Sequence, residues 1–243
     1  MKNIVIAFIV SGLIISCTEN SVKSHLSRKD LFSKTNVRKP LSAIELTCIH
    51  AGLIDIHTLD TTIAVELKYA SIDNFMHGNM YGDFKKAYLQ KDVAEKLVHA
   101  QKYLNELKEH YRLIIYDAVR PRSVQQKMWD TLKIPFNEKI KFLSNPKLGS
   151  LHNFGAAVDI SILDDKHQAL DMGTPFDYEG ELAYPESEAK LLKEGMLSEK
   201  QIDNRKLLRK VMYKAGFYNI ETEWWHFNAC TLEQAMKKYK IIE

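Results

Sequence analysis

The sequence predicts an α+β fold, a single domain in which helices flank a mainly antiparallel sheet. Two observations lead to this prediction. Stretches with apolar residues at helical spacing are mixed with short β-branched or aromatic stretches, and the two types do not alternate as they do in parallel βαβ proteins. The chain has 243 residues, of which 45% are hydrophobic and 27% charged, an ordinary globular composition.

The first 17 residues, MKNIVIAFIVSGLIISC, have the features of an export signal. A basic Lys2 is followed by an apolar run and by small and aliphatic residues before Cys17. The segment IISC resembles the bacterial lipobox, in which the cysteine is lipidated. The alternatives are a plain signal peptide and an anchor helix. The resemblance predicts a lipoprotein anchored at Cys17 and facing the periplasm, and Thr18 favours the outer membrane.

Residues 18–44 are predicted to be a polar tether. They lack apolar periodicity and hold six basic but only two acidic side chains, which is typical of a solvated linker. Residues 45–243 then form the folded domain, which is close to neutral. This charge balance gives no indication of nucleic-acid binding, and nothing in the sequence indicates an oligomeric state.

Within the domain, apolar spacing predicts three helices and three strands. The first helix starts with Asp92 and Glu95, which suit a capping box, and the last helix stops at Gly216. The strands are rich in β-branched and aromatic residues. The helices are expected at 91–111, 123–133 and 203–217, and the strands at 112–119, 156–163 and 222–229.

Two stretches, SLHNFGAAVDI and ETEWWHFN, hold the residue types of a catalytic zinc site. His152, Asp159 and His226 make a set of three ligands that leaves a fourth position open, and Glu223 is a free carboxylate that could take a proton from water. Residues three apart in a strand face opposite sides, so Glu223 reaches a site at His226 only through a bend or from the strand's entry. The alternative is an aromatic core with one satisfied histidine.

These motifs carry a resemblance to a known family. SLHNFGAAVD followed by EWWH is similar to the zinc D-alanyl-D-alanine peptidases, which have Ser-x-His, Gly-x-Ala-x-Asp and Glu-x-x-His in this order. The stretches LKYASIDNF, YDAVRPRSVQ and MGTPFD are most similar to the D-alanyl-D-alanine dipeptidases known from vancomycin resistance. The similarity covers about residues 50–235, and it places the zinc site at the sheet.

The resemblance implies a role for each matching residue. His152, Asp159 and His226 match the ligands of one zinc ion, and Glu223 matches the catalytic base. Arg120 matches the arginine that stabilises the transition state, and its permanent charge suits that task. Ser150 and Asp177 match the positions that hold the amino end of the substrate, a small D,D-dipeptide.

Two other functions remain open at this stage. A related zinc D,D-carboxypeptidase or endopeptidase would act on peptidoglycan peptides, and a zinc-stabilised binding module would have lost activity. Glu223 and Arg120 argue against the binding module, because a structural metal site needs neither. An oxidising periplasm also permits a disulfide between Cys48 and Cys230.

Overall fold

The computed structural model describes residues 40–243, and its strands form two sheets. The strands are β1 (Ile54–Asp55), β2 (Ala64–Val65), β3 (Tyr88–Leu89), β4 (Arg112–Asp117), β5 (Ala157–Leu163), β6 (Tyr218–Asn219) and β7 (His226–Asn228). The main sheet has the order β2–β4–β5–β7–β6, and β1 pairs with β3 in a small antiparallel sheet. Only β2 and β4 are parallel in the main sheet. The predicted α+β fold with a mainly antiparallel sheet is therefore confirmed.

Seven helices surround the sheet in the described part of the chain. They are α1 (Ala43–His50), α2 (Lys91–Leu107), α3 (Arg122–Thr131), α4 (Phe136–Phe142), α5 (Glu188–Lys193), α6 (Glu199–Lys214) and α7 (Leu232–Lys238). Short 3-10 turns connect several of the elements, including the turn Leu151–Phe154 directly before β5. Among residues 40–243, none of the helices is long and apolar enough to cross a membrane.

The core lies between one face of the sheet and α2. The apolar face of α2, predicted from its helical spacing, is buried and packs with the inward-facing residues of β4 and β5, such as Ile115 and Ile160. The opposite face of these strands holds a smaller cluster of Ile114, Tyr116 and Leu163. All seven residues of β5 are buried, because elements cover the central strand on both faces. The covered sheet supplies a rigid base for side chains at its end.

Several element boundaries differ from the predictions. The first long helix ends at Leu107 rather than at 111, and its N-cap is Gln90, which makes no side-chain cap bond. The predicted capping box is wrong because Asp92 bonds instead to Lys238 Nζ at 2.5 Å and to the Tyr239 hydroxyl at 2.7 Å. This tertiary contact ties the C-terminal end of α7 and the residue after it to α2, and it outweighs the local cap.

The last predicted strand is also shorter than expected. Only His226–Asn228 is paired as β7, and residues 221–225 form a bend before it. Asn219 holds this bend, because its side-chain amide donates to the carbonyls of Glu223 at 2.8 Å and His226 at 2.7 Å. Gly216, in contrast, ends its helix as predicted, with a φ of +83° beyond the helical residues.

Candidate metal centre

One row of the main sheet brings three polar side chains together. Asp159 in β5 lies opposite His226 in β7 on one side and opposite Asp117 in β4 on the other. The second pairing depends on a β-bulge, because the register shifts between Ile115 and Asp117. Without that extra residue, Tyr116 would face Asp159. Bulges re-aim side chains in this way next to active sites.

His152 reaches the row from the 3-10 turn before β5. Ser150 begins the turn, where its backbone N–H donates to Asn153 Oδ1 at 2.7 Å, and Gly155 ends it with a φ of +63°. A Cβ on Gly155 would lie 2.9 Å from a methyl carbon of Leu53, so this tight reversal requires glycine. The turn therefore folds His152 back over the end of β5, seven residues before Asp159.

Three potential ligand atoms converge at this point. His152 Nε2 lies 3.2 Å from His226 Nδ1 and 3.4 Å from Asp159 Oδ1, and His226 Nδ1 lies 3.0 Å from Asp159 Oδ1. Donor atoms placed tetrahedrally about 2.0–2.1 Å from a zinc ion are roughly 3.3–3.4 Å apart. The spacing of the three atoms therefore fits one zinc ion with a fourth position open.

In each histidine, the ring nitrogen that points away from the site makes a hydrogen bond that fixes the tautomer. His152 Nδ1 donates to the Ala118 carbonyl at 2.7 Å, and His226 Nε2 donates to Asn228 Oδ1 at 2.9 Å. In the neutral imidazoles, both lone pairs then lie on the nitrogens that face each other. Two lone pairs 3.2 Å apart beside a carboxylate form a site that a cation stabilises.

The charges in the site agree with this interpretation. Burial opposes ionisation of Asp159, but His152 and His226 outweigh it and hold the pKa of Asp159 well below its usual range. Burial also acts against a charge on His226, whereas the hydrogen bond and charge of Asp159, with Glu223, raise the pKa of His226 to about 9. Asp159 is therefore ionised, and positive charge is favoured beside it.

Glu223 lies in the bend before β7, on the side of the site. Its carboxylate Oε2 is 3.8 Å from His226 Nδ1, and its side chain keeps 34% of its surface exposed to the pocket. Enclosure by the pocket and the nearby charge of Asp159 raise the pKa of Glu223. A raised pKa makes this carboxylate a stronger base toward a water proton than an ordinary glutamate. The bend supplies the geometry that a regular strand would not allow.

Arg120 is held behind the metal ligands by an ion pair. Its Nε and Nη2 donate to Asp117 Oδ2 at 2.9 and 2.6 Å, and its guanidinium stacks on the Tyr69 ring at 4.9 Å. The Tyr81 hydroxyl donates to the other carboxylate oxygen of Asp117 at 2.5 Å. Arg120 Nη2 lies 3.7 Å from Asp159 Oδ2, so its charge is fixed at the wall of the pocket.

Asp177 also lines the pocket, and it is strained and incompletely bonded. Its backbone φ is +60°, unusual for a residue other than glycine. The Tyr69 hydroxyl donates to Oδ1 at 3.0 Å, whereas the buried Oδ2 has no hydrogen-bond partner among the described residues. Burial and the charge of Asp159 raise the pKa of Asp177 well above its usual value. The charged form of this carboxylate is thus incompletely paired, and a positively charged group of a ligand would stabilise it.

The same pocket contains all seven residues for which the sequence predicted a metal, catalytic or substrate-binding role. It has a volume of about 370 Å³ and is lined by Ser150, His152, Asp159, Asp177, Glu223, His226 and Arg120, with Tyr69, Trp225 and Asn228. Ser150 is oriented by Gln125, whose Oε1 accepts from the serine hydroxyl at 3.0 Å. Tyr69 and Asn228 were not assigned from the sequence, although the stretch LKYASIDNF contains Tyr69.

The disulfide permitted by the sequence is not formed. Within the described range, Cys48 and Cys230 are free thiols. Cys48 is completely buried in α1, where Glu45 is a charged neighbour, whereas Cys230 follows β7 and faces Lys96. The two thiols thus occupy different surroundings. Cys17 lies outside the described residues.

Comparison with known proteins identifies similar sequences and folds. The profile of the Peptidase M15 family, described as D-ala-D-ala dipeptidase, matches residues 49–240. A D-alanyl-D-alanine dipeptidase from Escherichia coli (strain K12) is 31% identical over 177 residues, covering 72% of this chain and 83% of that protein. A D-alanyl-D-alanine dipeptidase from Enterococcus faecalis (strain ATCC 700802 / V583) is 25% identical, covering 67% and 83%.

Among solved structures, a chain titled VanYB in complex with D-Alanine-D-Alanine has a TM-score of 0.37 and 16% identity. The match covers 62% of this chain and 76% of that chain.

Proposed function

This chain belongs to the Peptidase M15 family of D-Ala-D-Ala dipeptidases, and we propose that it hydrolyses D-alanyl-D-alanine to two D-alanines. The observation that carries the proposal is the convergence of His152 Nε2, His226 Nδ1 and Asp159 Oδ1 within 3.0–3.4 Å of one another. These three residues would hold one zinc ion. When bound, zinc acts as a Lewis acid that lowers the pKa of a water ligand to about 7 and polarises the substrate carbonyl.

Glu223 moves the proton of the reaction. It accepts a proton from the attacking water, whose oxygen forms a bond to the carbonyl carbon of the dipeptide. When the peptide C–N bond breaks, Glu223 returns the proton to the leaving amine. Its raised pKa and its position 3.8 Å from His226 Nδ1 suit both transfers.

Arg120 stabilises the negative charge that develops on the carbonyl oxygen. Two of its nitrogens bond to Asp117, which fixes the guanidinium without reorganisation during the reaction. A fixed donor in a pocket with little water stabilises an oxyanion more strongly than water does. Arg120 is almost fully buried, so its charge is little screened.

Asp177 and Ser150 select a substrate with a free amino end. The unpartnered Oδ2 of Asp177 accepts from the ammonium group of the dipeptide, and the Ser150 hydroxyl adds a hydrogen bond. Bonds to charged groups contribute about 1.5–3 kcal/mol. An acylated substrate offers no ammonium and leaves this carboxylate unpaired in a buried position, so it is a poor substrate.

Product analysis by mass spectrometry tests this function. Zinc-loaded protein should cleave D-Ala-D-Ala, a chelator should abolish the cleavage, and added zinc should restore it. N-acetyl-D-Ala-D-Ala and muropeptides should be cleaved slowly. Equal or faster cleavage of a blocked or pentapeptide substrate would favour a D,D-carboxypeptidase or endopeptidase. Zinc binding with no cleavage of any of these substrates would indicate a binding module.

We further propose that the protein is an exported bacterial lipoprotein whose domain is tethered to lipid on Cys17. The tether is the polar segment predicted at residues 18–44, of which Ala43 and Ile44 belong to α1. The proposal is supported by the apolar segment that ends at IISC and by the polar, basic segment after it. Metabolic labelling with palmitate should modify the native chain and not Cys17→Ala. Labelling that persists in this variant, or its absence from the native chain, would contradict the lipid anchor.

A further inference from the structure

One buried arginine bridges the two ends of the loop that carries Asp177. Arg205, in α6, donates from Nε to the Met172 carbonyl at 2.7 Å and from Nη2 to the Leu182 carbonyl at 2.8 Å. These carbonyls flank the loop 173–181, and Asp177 lies five residues from each of them. A single planar guanidinium therefore closes the loop at its base, with Asp177 at its centre.

This bridge places an incompletely paired positive charge in the interior of the protein. Arg205 is only 1% exposed, its Nη1 has no hydrogen-bond partner among the described residues, and the nearest carboxylate oxygen, of Glu188, lies 3.7 Å from it. Burial lowers the pKa of Arg205. Glu188 is instead paired with Arg209 by two bonds of 2.6 and 2.8 Å. A desolvated, incompletely paired guanidinium is a poor source of stability by itself.

The base of loop 173–181 also contacts residues 221–225, the bend that carries Glu223. The Trp224 indole donates to the Thr174 hydroxyl at 2.7 Å, and its backbone N–H donates to the Ala183 carbonyl at 3.1 Å. The guanidinium of Arg205 lies 6.0 Å from the centre of the Trp224 ring. Trp224, which directly follows Glu223, therefore lies beside Arg205 at the base of this loop.

We propose that Arg205 is a positioning residue for substrate selection, which acts by holding loop 173–181 so that Asp177 faces the pocket. This role rests on the proposed dipeptidase function, in which Asp177 binds the substrate ammonium. Asp177 has a strained φ of +60°, so an unclamped loop would relax and withdraw the carboxylate. The proposal concerns substrate binding and leaves proton transfer by Glu223 unchanged.

Hydrogen–deuterium exchange tests the clamp without any use of activity. In Arg205→Met, amides of residues 173–181 should exchange at least tenfold faster than in the native protein. Arg205→Lys should be intermediate, because one ammonium cannot match both bonds of the fork. Arg209→Met is the matched control, since it removes an arginine one turn along α6 that bonds to Glu188 and not to the loop, and it should leave loop exchange unchanged. Equal exchange in the native protein and both Arg205 variants would overturn the proposal.

A double-mutant cycle tests whether the clamp acts through Asp177. Arg205→Lys should raise the KM for D-Ala-D-Ala about tenfold with kcat changed less than twofold, and should add little in an Asp177→Asn background. Full additivity of the two changes, or a loss confined to kcat, would refute positioning. If the native protein cleaves no dipeptide, the proposed function fails while the exchange experiment still decides whether Arg205 holds the loop.

Discussion

We predict that Asn228 strengthens zinc binding by fixing the tautomer of His226. Its side-chain Oδ1 accepts the Nε2–H of His226 at 2.9 Å and leaves the Nδ1 lone pair free beside Asp159. Asn228→Ala removes this acceptor, so the imidazole can rotate or carry its proton on Nδ1. Loss of such an outer partner typically weakens metal binding 10- to 100-fold, equivalent to about 1.4–2.7 kcal/mol.

The structure bounds the loss of zinc affinity in Asn228→Ala. Asn228 is 8% exposed, so water replaces its oxygen only in part, and the loss should fall in the upper half of that range. His152 keeps its own acceptor, the Ala118 carbonyl, which no side-chain substitution removes. Two of the three ligands therefore stay oriented, and binding should be weakened rather than abolished.

Competition with a chromophoric chelator measures this loss directly. Asn228→Asp, which retains an acceptor oxygen, should bind zinc at least as tightly as the native protein and serves as the matched control. Thermal unfolding of both variants checks that the fold is intact. Zinc affinity of Asn228→Ala within twofold of the native value would refute the tautomer argument, and so would an equal loss in Asn228→Asp.

Further predictions concern the base, the arginine, the turn and the thiols. Glu223→Ala should keep zinc stoichiometry but lose turnover, and retained activity would remove it as the base. Arg120→Ala should lower kcat about 100-fold, with a smaller rise in KM, whereas an effect on KM alone would make it a binding residue. Gly155→Ala should lower the free energy of unfolding by roughly 1–3 kcal/mol in urea titrations, because of its φ of +63° and its contact with Leu53. Burial raises the pKa of the Cys48 thiol to about 12, so this thiol should resist alkylation at pH 8 in native protein and react only after unfolding.

Local chemistry explains why much of the site could be predicted. The residue types and order of His152, Asp159, Glu223 and His226 carry the metal chemistry, and small residues such as Gly155 indicate a tight turn between ligands. Burial of β4 and β5 follows from their apolar composition, which is a property of the segment itself. The mixture of such segments with amphipathic helices, exemplified by α2, predicted the α+β fold.

Contacts between distant segments explain what the sequence did not show. The capping box at Asp92 failed because Lys238 and Tyr239, nearly 150 positions away, bind the same carboxylate. The free thiols of Cys48 and Cys230 likewise depend on where the chain places them. Local propensity is worth a fraction of a kcal/mol per residue, and tertiary contacts exceed it.

The sequence by itself determined which residues form the candidate site, and the tertiary structure decided how they meet. The bulge after Ile115 turns Asp117 toward Asp159, and the bend before β7 brings Glu223 to the side of His226. The bulge depends on pairing with β5, which is distant in sequence, and the bend depends on hydrogen bonds from the Asn219 side chain that the residue pattern does not indicate. The loop of Asp177, closed by Arg205, follows the same rule: its conformation is determined by a bond network that exists only once the chain has folded.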